Sequence, residues 1–132
     1  MPVDSPGVVL IVDDDAAVRE LLGRMLNSRG LASLPAETLS QAITLAEREP
    51  IAAVILDLGL SGAQSGLDVL RWFRSRGDHL QLPILILTGE RMLSEEQEAA
   101  IAHHRAELFF KPQNLQALIS RLQTLLARGA NQ

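Results

Sequence analysis

Five short apolar runs, each followed by a stretch with helical periodicity, constrain the fold of this chain more than any other feature. The runs lie at residues 7–12, 31–34, 52–58, 82–88 and 107–110. Runs of this length that are apolar throughout, and not alternately polar, are typical of strands buried on both faces of a parallel sheet. The repeated strand–helix alternation therefore predicts an α/β fold with helices on both faces of one sheet.

The stretches between these runs carry apolar residues at helical spacing. In the first stretch they fall at positions 18, 21, 22, 25 and 26, on one face of a helix that Gly30 would end. Thr38 and Pro50 mark the start and the end of a second helix. Further helices are predicted at about 67–76, 94–104 and 115–126.

Length and composition restrict the class of protein. With 132 residues, we expect one domain over 1–132, ordered at about 6–127. The absence of cysteine excludes disulfides and thiolate-ligated metal sites, and the net charge of −4 argues against direct binding of nucleic acid. The sequence shows neither a secretory signal pattern nor an apolar run of about 20 residues that could span a membrane, so we expect a cytoplasmic protein.

Polar residues collect where the predicted strands end. Asp13, Asp14 and Asp15 follow the first strand, Asp57 ends the third, Thr88 ends the fourth, and Lys111 follows the fifth. Lys111 is also the single lysine among the twelve basic residues. Because the carboxyl ends of parallel strands meet at one edge of the sheet, where ligands bind in such folds, these side chains are expected to converge.

Carboxylates brought together in one crevice need a positive partner. Two of them about 5 Å apart repel by roughly 3 kcal/mol at an effective dielectric constant near 20. A hard divalent cation would offset this repulsion, and Mg²⁺ fits best, with Mn²⁺ as an alternative, whereas zinc prefers thiolate and imidazole ligands. Together with the hydroxyl of Thr88 and the ammonium of Lys111, the set is typical of a phosphoryl-transfer site in which Asp57 can be the nucleophile.

These residues give the chain a resemblance to the receiver domain of two-component response regulators. The segments "LIVDDDAAVREL", "VILDLGLSG", "ILILTG" and "FFKP" follow the order and spacing of that family, over essentially the whole chain. The resemblance implies a single doubly wound (βα)5 three-layer sandwich, with a parallel five-stranded sheet in the order 2-1-3-4-5.

The resemblance also implies a role for each site residue. Asp14 would bind Mg²⁺ directly and Asp13 largely through water, while Gly59 would offer its backbone carbonyl to the metal. Asp57 would be both a metal ligand and the phosphoacceptor. Thr88 would contact the phosphoryl group, and Lys111 would pair with it.

The sequence departs from the family pattern in four places, one of which is Ser61, where the family commonly has a proline. Leu108 stands where the family usually has an aromatic residue that switches rotamer together with the threonine. Arg105 replaces a glycine expected just before the fifth strand. The loop after the acceptor is expected to be one residue longer, since its glycine comes at Gly66. None of these changes affects the five proposed site side chains.

Some conspicuous residues have ordinary structural interpretations. Asp15 directly precedes a helix, so we interpret it as the N-cap and not as a metal ligand. His103 and His104 are interpreted as helix-end residues, since no acidic residues are patterned with them. The segment 94–98, "SEEQE", is interpreted as a helix cap with an acidic first turn.

The main functional hypothesis is a signalling switch that accepts a phosphoryl group on Asp57 from a sensor histidine kinase or a phosphotransfer protein. Phosphorylation would shift the surface of the fourth helix, fifth strand and fifth helix and so regulate an unknown downstream protein, an output domain absent from this sequence, or a homodimer. The alternative is a receiver-fold binding module that signals without phosphorylation, which the loss of the aromatic at Leu108 favours. A free-standing phosphohydrolase is disfavoured because no substrate-covering domain is encoded, so we do not expect an enzyme.

Overall fold

The five predicted strands form one parallel sheet. They are β1 (Val8–Val12), β2 (Ser33–Ala36), β3 (Ile51–Leu56), β4 (Ile84–Thr88) and β5 (Glu107–Phe110). Their spatial order is β2-β1-β3-β4-β5, which confirms the predicted topology. The computed structural model describes residues 7–60, 66–89, 92–111 and 113–130. The predicted ordered range of about 6–127 therefore begins at a residue outside the described ranges. Residues 61–65 of the loop that was expected to be longer also lie outside them.

Five α-helices connect and cover the strands. They are α1 (Ala16–Ser28), α2 (Leu39–Arg48), α3 (Gly66–Arg74), α4 (Glu95–His103) and α5 (Leu115–Ala130). The carboxylate of Asp15 accepts a hydrogen bond from the amide of Ala17, which confirms its interpretation as an N-cap. Ser94 forms a reciprocal capping box with Gln97 at the start of α4. Gly30, at φ +77°, follows the end of α1 in the left-handed conformation that glycine favours.

The core consists of two apolar clusters, one on each face of the sheet. Alternate strand residues face opposite sides, so that Leu10 belongs to one cluster and Val9 to the other. Side chains of α2, α3 and α4 pack on the first face, including Phe73, which is fully buried. Side chains of α1 and α5 pack on the second face, including Leu22. The three layers of the predicted sandwich are thereby confirmed.

The prediction was wrong about the limits of β2. The apolar run 31–34 predicted the strand, but the structure places it at Ser33–Ala36, two residues later. Hydrogen bonding to β1 sets these limits, because Val9 is opposite Ser33 and Ile11 is opposite Pro35. Pro35 lacks an amide hydrogen, and it is tolerated here because β2 is an edge strand with a neighbour on one side only.

Several other boundaries also differ from the prediction. The strand expected at 52–58 ends at Leu56, so that Asp57 directly follows it, and the last helix, expected at 115–126, extends to Ala130. The strand expected at 82–88 begins at Ile84, and α3 ends at Arg74, followed by a short 3₁₀ helix, Gly77–His79. Within the described ranges, no helix is both long and apolar enough to cross a lipid bilayer. Because all five strands are parallel, β1, β3, β4 and β5 end at the same edge of the sheet, and the polar residues described above follow them there.

Candidate functional site

Asp13 is held in place at the end of β1 by both its backbone and its side chain. Its amide donates to the carbonyl of Ala36 at 3.1 Å, and its own carbonyl accepts from Nη1 of Arg19 at 2.7 Å. Its Oδ1 accepts from the amide of Asp15 at 2.9 Å. With a residue exposure of 2%, this carboxylate is buried with Oδ2 turned toward other groups of the site.

Asp57 follows β3 and is aligned with the end of β1. Its amide donates to the carbonyl of Val12 at 2.9 Å, which continues the pairing of the two strands by one residue. Its Oδ1 accepts a hydrogen bond from the amide of Gly59 at 3.1 Å. Asp57 is 7% exposed, so the two strands deliver two nearly buried carboxylates to one place.

Lys111 approaches both carboxylates from the end of β5. Its amide donates to the carbonyl of Thr88 at 2.8 Å, which fixes its backbone beside β4. Its Nζ lies 2.9 Å from Oδ2 of Asp13 and 3.6 Å from Oδ2 of Asp57. Thr88, the last residue of β4, is fully buried. The lone lysine therefore lies within the acidic pocket, as the sequence predicted.

The donor set of this pocket fits a hard divalent cation. Carboxylate oxygens of Asp13, Asp14 and Asp57 all lie within 4.8 Å of one another, a separation that one ion can bridge. Oxygen-only ligands, including one or two carboxylates, are the usual environment of Mg²⁺. The ammonium of Lys111 contacts two of these three carboxylates, those of Asp13 and Asp57, and a divalent cation would add further positive charge.

The pKa values of Asp57 and Lys111 reflect both their burial and the charges around them. Burial raises the pKa of Asp57, and the negative charges of Asp13 and Asp14 raise it further, against the opposing effects of the Gly59 amide and of Lys111. Burial alone would lower the pKa of Lys111, but its hydrogen bond to Asp13 and the charges of both carboxylates outweigh burial and raise it. A positive ion would favour the charged form of Asp57.

Comparison with known proteins identifies the family. The sequence profile described as "Response regulator receiver domain" matches residues 9–123. The chain belongs to this family.

The similarity of this receiver domain extends to curated relatives and to solved structures. It is 37% identical over 123 residues to the response regulator MprA of Mycolicibacterium vanbaalenii, covering 93% of this chain and 52% of that protein. The MprA protein of Mycobacterium leprae is 37% identical over 120 residues, covering 91% of this chain and 51% of the relative. The chain thus spans about half the length of these curated relatives.

Solved receiver structures superpose closely on this receiver domain. A response regulator receiver protein from Pseudomonas putida is 29% identical, with a TM-score of 0.81 over 92% of this chain and 99% of that one. A receiver domain protein from Methanospirillum hungatei has a TM-score of 0.83 at 22% identity, covering 96% of this chain and 98% of the other, and this likeness shows the fold alone.

For the remaining predicted residues, the structure of the receiver domain gives their positions, while their functional roles stay predictions. Gly59 lies beside Asp57 and donates its amide to that side chain, while the metal-binding role of its carbonyl stays a prediction. Thr88 lies opposite Phe110 in the β4–β5 register, and its contact with a phosphoryl group also stays a prediction. Leu108 is partly buried and packs against the apolar cluster that α3 and α4 cover.

Two contacts that support the site were not predicted from the sequence, one made by Arg19 and one by Gly66, which the sequence had marked only as the glycine of the loop. Arg19 holds the carbonyl of Asp13, and only the fold reveals that the fourth residue of α1 reaches back to the strand end. Gly66 donates its amide to the carbonyl of Leu58, and a Cβ at Gly66 would lie 2.3 Å from the carbonyl oxygen of Asp57. The single glycine at the start of a helical pattern was the available signal for this close approach.

Proposed function

We propose that this receiver domain accepts a phosphoryl group on Asp57 from the phosphohistidine of a sensor kinase or of a phosphotransfer protein. The observation that supports this most directly is the position of the Lys111 ammonium between Asp13 and Asp57, within a pocket of three carboxylates. A carboxylate that is buried beside an ammonium and a cation site is suited to attack phosphorus, because positive charge faces the oxygens where negative charge accumulates.

In the proposed reaction, one carboxylate oxygen of Asp57 forms a bond to phosphorus while the bond from phosphorus to the imidazole nitrogen of the donor breaks. The electron pair of that bond stays with the imidazole, and Asp57 becomes an acyl phosphate. Asp13, Asp14, Asp57 and the carbonyl of Gly59 would hold Mg²⁺ or Mn²⁺, which supplies positive charge to the pocket. The amide of Gly59 restrains the carboxylate of Asp57 by its hydrogen bond to Oδ1.

Lys111 and Thr88 would stabilise the phosphorylated form. The raised pKa of Lys111 keeps its ammonium charged at neutral pH, and the group already lies 3.6 Å from Oδ2 of Asp57. It would exchange its contact with Asp13 for one with a phosphoryl oxygen. The hydroxyl of Thr88, at the end of β4 beside β3, would donate a hydrogen bond to a second phosphoryl oxygen.

The proposed output surface comprises α4, β5 and α5, of which β5 directly precedes Lys111 and contacts both helices. Phosphorylation would shift this surface and so control a downstream protein, an output domain in a longer chain, or a homodimer. Reaction with water would return Asp57 to its free form, so the domain would catalyse its own phosphorylation and dephosphorylation without acting as a free-standing enzyme. A cytoplasmic location is part of this proposal.

Incubation with acetyl phosphate and Mg²⁺, followed by intact mass spectrometry, tests the proposal. We expect a labile increment of one phosphoryl group on the wild-type protein and none on Asp57→Asn. Asp78→Asn is the matched control, because the Asp78 side chain is 76% exposed and lies outside the pocket, and this variant should be phosphorylated normally. An increment that persists in Asp57→Asn, or none in the wild type, would contradict the assignment.

Leu108 supports a second candidate, a binding module that signals without phosphorylation. An aliphatic residue packed against the core replaces the aromatic residue expected at this position, so the usual aromatic part of the switch is absent at Leu108. Titration with Mg²⁺ and beryllofluoride separates the two candidates. Binding of both, lost in Asp57→Asn, supports the phosphoacceptor, whereas absence of binding supports the module.

A further inference from the structure

A surface cavity of about 160 Å³ lies at the edge of the sheet opposite to the acidic pocket. It is formed where α3 and α4 end and where β4 and β5 begin, with α5 closing one side. Its lining includes Arg74, Leu80, Leu82, Arg105, Glu107 and Leu125. We call it the arginine cavity. At about 30 Å³ for each water, it has room for roughly five water molecules or for one small ligand.

Backbone carbonyl groups hold the two arginines that give the cavity its name. Nε of Arg74 donates to the carbonyl of His104 at 2.8 Å, and its Nη1 donates to the carbonyl of His79 at 2.8 Å. Nη2 of Arg105 donates to the carbonyl of Leu80 at 2.9 Å. A guanidinium group has five N–H donors, so each arginine is oriented by these bonds and keeps further donors for a ligand.

Carboxylates of the described residues do not neutralise these two charges. The acidic residue in the lining, Glu107, is already engaged by Arg121, whose Nε and Nη2 each donate to it at 2.8 Å. Among the ion pairs found within the described ranges, none involves Arg74 or Arg105. The cavity therefore presents two cations that are held by neutral acceptors.

The pKa values of two titratable groups indicate a positive electrostatic potential around the arginine cavity. Burial, and then the charge of Arg105, lowers the pKa of Arg74. Burial and then the charges of His103, Arg74 and Arg71 lower the pKa of His104. A nearby anion would stabilise the charged forms of Arg74 and His104. This is notable in a protein whose overall net charge is −4.

We propose that the arginine cavity binds a small anion through a phosphate group. Two guanidinium groups match the charge of a phosphate dianion, and their planar arrays of donors suit its oxygens. A single carboxylate would leave one of the two cations unmatched. Leu80, which is 46% exposed beside the arginines, offers an apolar contact that a free phosphate ion cannot use but an organic phosphate can.

Titration followed by ¹H–¹⁵N NMR tests this proposal. The wild-type protein is titrated with inorganic phosphate, and separately with AMP, in EDTA at constant ionic strength so that the acidic pocket holds no metal. We expect saturable shifts of the amides of Leu80 and Arg105. Tighter binding of AMP than of phosphate would identify an organic phosphate as the ligand class, and equal binding would identify the free ion.

Arg105→Gln removes one cation and should weaken binding about tenfold, as expected for loss of a charged hydrogen bond. Arg105 is exposed, so Arg105→Gln should fold. Arg74→Lys is a second variant, which keeps the positive charge and loses the planar array of donors. Arg48→Gln, an exposed arginine on α2, is the matched control and should bind like the wild type. Shifts confined to the acidic pocket, shifts that do not saturate, or equal affinities of Arg105→Gln and Arg48→Gln would overturn the proposal.

Discussion

At the scale of single residues, Gly66 limits how the chain can return from the acceptor loop to the sheet. A Cβ at this position would lie 2.3 Å from the carbonyl oxygen of Asp57 and 2.6 Å from Cα of Leu58. Both neighbours are backbone atoms that cannot rotate away. The helix α3 therefore begins in van der Waals contact with the backbone that carries the proposed phosphoacceptor.

We predict that Gly66→Ala lowers the free energy of unfolding by about 2–3 kcal/mol, because the added methyl group must displace the backbone. Urea denaturation followed by circular dichroism measures the loss. Gly77→Ala is the matched control, since nothing lies within 4 Å of a Cβ at Gly77, and its effect should stay within about 0.5 kcal/mol. Equal effects of the two substitutions would show that the close approach at Gly66 has no energetic weight.

Arg105 has a backbone conformation that its side chain disfavours. With φ at +57°, it lies in the left-handed region, and its amide and that of Ala106 donate back to Ala102 and Ile101 at the end of α4. This is the geometry in which helices commonly end at glycine. The glycine that the family resemblance led us to expect just before β5 thus corresponds to a real conformational requirement at Arg105.

We predict that Arg105→Gly is more stable than Arg105→Ala by about 1 kcal/mol, the usual penalty for a Cβ in this conformation. Both variants lose the hydrogen bond to Leu80, so the comparison isolates the backbone effect. Thermal unfolding of the two variants under identical conditions measures the difference. If the two unfold at the same temperature, the left-handed conformation at this position is without cost.

At the scale of elements, Glu107 and Arg121 join β5 to α5. Two hydrogen bonds of 2.8 Å connect the carboxylate to the guanidinium. This hydrogen bonding lowers the pKa of Glu107 in the folded protein below its ordinary value of 4.5, although burial opposes the shift. The pair is partly exposed, so its stabilising effect is modest.

We predict that Glu107→Gln lowers the melting temperature by about one to two degrees at neutral pH. Since the folded pKa is lowered, the stabilisation is present above pH 4.5 and disappears as the pH falls through the folded value. Melting curves from pH 7 to pH 2 should therefore converge for the wild type and the variant. Glu20→Gln, which removes a more exposed pair on α1, should behave like the wild type throughout.

The sequence predicted those elements best whose own residues determine them. β1, β3 and β4 are continuous apolar runs that can only be buried, and α1 and α4 have clear caps at Asp15 and Ser94. β2 was misplaced because its limits depend on its pairing with β1 and not on its own weak pattern. The 3₁₀ helix after α3 carries no buried residue and leaves little periodicity to detect.

At the scale of the whole molecule, the acidic pocket was predictable because topology alone brings parallel strand ends together. Asp13, Asp57 and Lys111 needed no distance information beyond the order of the strands. The arginine cavity could not be predicted in this way. Its two arginines come from a helix end and a connecting turn, and their proximity depends on how α3 and α4 pack on the sheet.

Ionisation of Asp57 destabilises the folded protein when no metal is bound. Burial, and then the charges of Asp13 and Asp14, raise its pKa above the ordinary value of 3.8. The contribution of this group to stability is therefore complete below pH 3.8 and is lost as the pH rises through the folded value. Above the folded pKa, the wild-type protein carries the full penalty.

We predict that Asp57→Asn raises the melting temperature by a few degrees in EDTA at pH 7, and that this gain disappears below pH 3.8. Mg²⁺ should raise the melting temperature of the wild type more than that of Asp57→Asn, because only the wild type keeps all three carboxylates. Scanning calorimetry with and without the ion measures both effects. The exposed Asp78→Asn control should match the wild type, and a lower melting temperature of Asp57→Asn in EDTA would contradict the argument.

The pairing of β1 with β3 also determines where the gene can gain or lose a codon. Asp57 reaches the pocket because Leu56 is opposite Val12, and each strand residue alternates between the two faces of the sheet. A one-codon deletion within β3 would turn every later side chain of that strand to the other face and move the carboxylate away from Asp13. Insertions in the connection between α2 and β3 would keep that alternation, so length variation among descendants of this gene should accumulate between strands and not within them.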